Sequence, residues 1–185
     1  MRDFFEAFIN CPHKVLGKGL KPFSLTHCLY LEAIGSPFMA VINGGEANIT
    51  RKDLELAVLI CSSSDPLMEI SRAYCLKNIA MKFYSFKRGC SRFLGYLTDY
   101  VTIPELWDKT ESDTSLNAPW ILSKSTLLLT KTNMSLSEIW HMPLGELLWY
   151  CACMAEHSGV AEIQSEADKS AIDEALKSQN HEPHK

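Results

Sequence analysis

Basic residues recur at Arg72, Lys77, Lys82, Lys87 and Arg92, with Tyr74, Phe83, Tyr84, Phe86 and Phe93 between them and no acidic residue from 71 to 98. Such interleaving is the chemistry of a nucleic-acid surface: cations for phosphates, rings for stacking. The spacing opposes that use. A step of five residues turns about 140° around a helix, so the charges scatter around the axis instead of forming one stripe. Long basic side chains also cover apolar surface with their stems while their heads stay in water. The reading preferred here is a solvated or snorkelled set. An acidic protein partner, met by Arg72, Lys77 and Lys82, comes second and nucleic acid third.

Cys151, Cys153 and His157 carry the residue types of a zinc site. On a helix, residues two apart point about 200° away from each other, so the two sulfurs cannot meet one ion, and buried thiols are the expectation. His13, His27 and His141 have no ligand partner at a recognisable spacing. No phosphate-binding glycine loop, Gly-x-Ser-x-Gly elbow or His-Glu-x-x-His helix occurs. The sequence therefore nominates no catalytic residue, no metal ligand and no cofactor.

The elements that would position any site centre on residues 135–159, SLSEIWHMPLGELLWYCACMAEHSG. Ser135 and Glu138 have capping-box spacing, which predicts a short helix. Pro143 ends it at Met142 and opens the next, and Gly159 closes that one. Between them Leu144, Leu147, Leu148, Cys151 and Ala155 share one side, with Trp149, Tyr150, Ala152 and Met154 over most of the rest. This reads as a central helix enclosed by its neighbours. A helix-turn-helix reading of the same pair fails on chemistry, because Glu146, Trp149 and Tyr150 do not read base edges.

Elsewhere the pattern predicts helices at 24–34, 50–61, 65–87, 91–100 and 119–133, with Gly89 as a break. Phe4, Phe5, Phe8 and Ile9 repeat at helical spacing, as in a short amphipathic helix docked on its own core or on a partner. Residues 11–23 read as loop, and any minor hairpin is expected near 38–50. The fold class is mainly α: a single-domain multi-helix bundle over 1–159 with a seam near 108–118. An acidic tail over 160–185, loosely helical or partly disordered, follows it.

A chain of 185 residues can bury one sizeable core, and a formal charge of −4 argues for no polyanionic partner. MRDFFEAFIN lacks the features of a secretory signal, and the longest apolar run, 147–155, is far below membrane-spanning length. Seven scattered cysteines suit reduced thiols in the cytoplasm.

Two stretches, PFSLTHCLYLEAIGSPF with DLELAVLICSSSDP (within 22–66) and IWHMPLGELLWYCACMAEHSG (139–159), resemble small helical proteins of phage and prophage tail-morphogenesis regions, including tail assembly chaperones. The resemblance implies a non-catalytic role in the host cytoplasm: holding apolar helices of a tape-measure-like partner until the tail polymerises. Such a role needs an apolar groove between helices, with Trp140, Leu144 and Trp149 as the anchors expected beside the central helix. A structural virion or connector protein is the alternative class, and a small helical nucleic-acid-binding regulator is the third. No membrane partner is expected.

Overall fold

The computed structural model describes residue 8 and residues 12–63, 81, 83–101, 104–108 and 119–179. Its first element is a small antiparallel hairpin, β1 (Lys14–Val15) and β2 (Lys18–Gly19), joined through Leu16 and Gly17, both at positive φ (48° and 81°). Two consecutive positive φ values match the right-handed twist of paired strands. For a leucine that conformation costs about 1–2 kcal/mol. Burial offsets it: Leu16 is only 5% exposed, and burying a leucine contributes about 1.5–3 kcal/mol.

Eight helices are described, and the fold is mainly α. They are α1 (Leu25–Ala33), α2 (Pro37–Ile42), α3 (Arg51–Cys61), α4 (Phe86–Tyr100), α5 (Trp120–Lys131), α6 (Leu136–His141), α7 (Leu144–His157) and α8 (Glu166–Gln179). Their starts follow local chemistry. Asp53 Oδ2 accepts from the Thr50 backbone N–H at 2.8 Å, and Glu138 Oε2 from that of Ser135 at 2.7 Å, closing the two expected capping boxes. Ser165 and Asp168 repeat the device before α8. Gly159, at φ 74°, ends α7: its N–H reaches Glu156 O and that of Val160 reaches Ala155 O, a Schellman arrangement that a left-handed residue allows.

The core runs through a chain of rings. Phe38 meets Phe93 at 4.6 Å, Phe93 meets Tyr96 at 5.5 Å, and Tyr96 meets Phe23 at 5.8 Å. Residues 21–27 form the hub of this packing. Lys21 N–H bonds Cys61 O at the end of α3 and Lys21 O accepts from Tyr96 Oη of α4, both at 2.8 Å. Phe23 O accepts from Leu144 N–H at 2.6 Å, and Thr26 Oγ1 donates to Trp140 O at 2.9 Å. The extended entry to α1 and its first turn thus tie α1, α3, α4 and the α6–α7 junction together.

Four expectations change. Residues 38–42 are helical, not part of a hairpin, because Pro37 opens α2 after Ser36 and Phe38 and Met39 turn inward. The hairpin lies instead at Lys14–Gly19, inside the stretch read as loop. The root of the tail is ordered: β4 (Ala161–Ile163) pairs antiparallel with β3 (Leu106–Asp108). The helix α7 is not enclosed, since Tyr150, Cys153 and His157 face outward while Leu144, Leu147 and Cys151 are buried. Most of the 65–87 helix, the seam at 109–118 and residues 180–185 lie outside the described residues.

The expected break at Gly89 is also absent, for a packing reason. Gly89 is buried within α4, and a Cβ there would come within 2.9 Å of both Leu16 Cδ2 and Leu54 Cδ2. The glycine is the notch that receives the hairpin tip. Gly89→Val is expected to lower the unfolding free energy in urea by about 1–3 kcal/mol, the usual cost of overpacking. In Gly89→Ala a helix-propensity gain of about 0.5–1 kcal/mol offsets most of the strain. A valine variant as stable as the parent would show that the two leucines are free to move aside.

Candidate protein-binding groove

Two cavities lie along one seam. At its start Trp120 and Lys124 of α5 meet Leu144 and Leu148 of α7, with Phe23 and Met39, around about 300 Å³. At its far end Leu127 and Lys131 of α5 meet Tyr150, Met154 and His157 of α7, with Val160, around about 720 Å³. The starts of both helices line the first cavity and their ends line the second, so α5 and α7 run side by side in the same direction. The spacings explain the alignment. Residues 120, 124, 127 and 131 recur at helical intervals on one flank of α5, and 150, 154 and 157 do so on one flank of α7.

The larger cavity is an open apolar groove. Leu127, Tyr150, Met154 and Val160 supply its walls, and Lys131, His157 and Ser158 are its polar members. Tyr150 is 37% exposed and Val160 47%. The nine residues from Tyr150 to Ser158, the cap of α7, give it a length of about 12 Å. The ring of Phe8 meets Tyr150 edge-on at 6.0 Å, so part of the N-terminal segment rests against this wall. Among the described residues that line the groove there is no carboxylate, and His157 is exposed, so their chemistry is mainly that of apolar contact.

The six partner residues named from the sequence separate. Leu144 is only 3% exposed and lines the smaller cavity, so it serves the core. Trp140 is half-buried, and its indole N–H is buried without an acceptor among the described residues. Trp149 is half-buried on a different flank of α7 from Tyr150. None of these three lines the open groove. Arg72, Lys77 and Lys82 lie outside the described residues. Of the remaining basic series Lys87 and Arg92 are exposed on α4, while Phe93 is fully buried and cannot stack on a base.

The five described cysteines are free thiols. Burial pushes Cys28 up to about 12, and it raises Cys61 and Cys151 as well, which keeps all three protonated. Cys151 is buried and Cys153 exposed, the opposed directions that helical geometry requires. Among the described residues no three His, Cys, Asp or Glu side chains gather as a metal site. His13 Nε2 lies 3.2 Å from Asp99 Oδ2, without the geometry of a hydrogen bond. No helix of the described residues is long and apolar enough to cross a membrane.

Sequence reasoning missed Tyr150, Met154 and Leu127. The available signal was the excess width of the apolar surface on α7, taken for enclosure. Compared with family models, curated proteins and solved structures, the chain matches none.

Proposed function

We propose that this chain is a non-catalytic protein-binding factor that holds the apolar face of a partner helix in the groove between α5 and α7. The observation that carries the reading is the groove itself: about 720 Å³, open, and walled by Leu127, Tyr150, Met154 and Val160. A small-molecule site of that volume encloses most of its ligand, whereas this groove is open, with Tyr150 and Val160 exposed along it. An amphipathic helix needs only a few apolar anchors at helical spacing. The resemblance to tail assembly chaperones supplies the partner class: a long, helix-rich tape-measure protein whose apolar faces must be kept apart in the host cytoplasm before assembly.

Co-expression with the longest helix-rich protein encoded beside it tests this. The expected result is a soluble complex that purifies intact by size exclusion. Tyr150→Ala and Cys153→Asp, both at exposed positions, are expected to weaken it at least about 30-fold, the scale of a hot spot worth about 2 kcal/mol. A complex indifferent to both substitutions would place the binding surface elsewhere. Absence of any complex would remove the tape-measure reading.

A further inference from the structure

We infer that the smaller cavity, at the start of the α5–α7 seam, binds a small amphiphilic anion: an alkyl chain of about eight to ten carbons ending in a carboxylate, with the chain inside and the head at Lys124. The inference does not depend on the partner groove at the far end of the seam. The base of the cavity is core, since Phe23, Cys28, Met39 and Leu144 are all buried. Its outer members reach water: Trp120 and Asn43 are exposed and Lys124 is half-buried. A pocket that is apolar at its closed end and polar where it meets solvent takes up a tail and leaves the head outside.

Volume sets the length of the chain. An apolar cavity of about 150 Å³ admits benzene, so one of about 300 Å³ has room for about twelve non-hydrogen atoms. The base adds no charge, because burial pushes the Cys28 thiol up to about 12 and keeps it protonated. Only an uncharged part of a ligand can enter there without a desolvation cost. Lys124 sets the sign of the head. It is the one charged side chain among the described lining residues, and no carboxylate pairs with it among the described residues. Glu32, the acidic group close by on α1, does not line the cavity, and its Oε1 accepts from the Trp120 indole N–H at 3.3 Å. Asn43, which does line it, supplies an amide donor that a carboxylate can use. One ammonium balances one negative charge, which suits a carboxylate better than a phosphate monoester carrying about 1.5 to 2.

Isothermal titration calorimetry of the full-length protein with octanoate and with octylammonium tests both ends of the site. The parent is expected to bind octanoate at least about tenfold more tightly than octylammonium, and Lys124→Glu to reverse that order, because a favourable half-buried pair becomes a repulsion. Lost stability alone cannot reverse a preference. From hexanoate to octanoate the affinity should rise about fourfold per methylene, the effect of burying one CH₂, and it should level off by dodecanoate, when the cavity is full. Leu148→Trp, which fills the cavity from the α7 wall, should abolish octanoate binding, whereas Cys153→Asp, in the far groove, should leave it unchanged. No binding of octanoate by the parent, equal binding of the two ions, an order that Lys124→Glu does not reverse, or binding lost in Cys153→Asp would each overturn the inference. If Leu148→Trp does not fold, the charge reversal at Lys124 and the chain-length series still decide it.

Discussion

Phe23→Ala is expected to cost about 3–5 kcal/mol of stability, the scale for deleting a fully buried aromatic side chain. Phe23 is 0% exposed and stands where four elements meet. Its ring stacks on His27 at 6.0 Å and meets Tyr96 edge-on at 5.8 Å, while its carbonyl accepts from Leu144 N–H. Phe23 also lines the 300 Å³ cavity beside Leu144, so truncation enlarges an existing void and leaves the surrounding side chains with fewer atoms to touch. For a domain with the usual stability of about 5–15 kcal/mol, that is about a fifth of the total or more. Urea unfolding measures it, with Leu136→Ala at an exposed position as a control expected within about 0.5 kcal/mol of the parent. A loss below about 1 kcal/mol would mean that residues 21–27 are not the hub of the fold.

The second large effect belongs to His27, 4% exposed at the start of α1. Its Nδ1 accepts from the Ser24 backbone N–H at 3.1 Å, the role a glutamate plays in an ordinary capping box, and its Nε2 lies 3.2 Å from Ser63 O. That pair of partners defines the neutral ring with the proton on Nε2. His27→Ala removes the acceptor of the buried Ser24 N–H, at about 1–3 kcal/mol, and one partner of the half-buried Ser63 O, at less. His27→Gln can satisfy both and should cost much less.

The same residue makes stability depend on pH. Burial, followed in weight by the opposing Ser63 hydrogen bond, holds the folded His27 pKa below its ordinary value of 6.5. Below pH 6.5 the unfolded chain therefore takes up a proton that the folded ring resists. The stabilisation is complete above that pH and is lost as the pH falls toward the folded value, with a limiting slope of about 1.4 kcal/mol per pH unit. Subtracting the His27→Gln profile from the parent profile isolates this contribution from the carboxylates. Parallel profiles for the two proteins between pH 7 and the onset of carboxylate titration would show that His27 is not held neutral.

How legible each feature was depended on the range over which its cause acts. The capping pairs Thr50–Asp53 and Ser135–Glu138, the break at Pro143 and the stop at Gly159 all appear in the structure where spacing placed them. Each is decided within a few residues by hydrogen bonds the backbone must make or by a φ angle it must adopt. Gly89 misled because its reason is nonlocal: Leu16 and Leu54, 73 and 35 positions earlier, occupy the space its missing side chain leaves. Pro37 misled because a proline that ends one helix can open the next.

The binding site was legible only in its character. An apolar surface wider than a single stripe was visible along 144–155, but whether the surplus was enclosed or open depends on which neighbour lies beside it. The anchors chosen by residue type, Trp140, Leu144 and Trp149, do not line the groove, whereas Tyr150 and Met154 on the same helix do.

By itself the sequence determined most of the described helices, several of their ends and the burial of three of the five described thiols, because periodicity and capping act between near neighbours. The tertiary structure alone decided that α5 and α7 run side by side and leave an apolar furrow between them. It also joined residues 21–27 to α3, α4 and α7, and brought Phe8 against Tyr150, 142 positions along the chain. Contacts at such separations are set by the mutual fit of whole helices, and no local pattern encodes them.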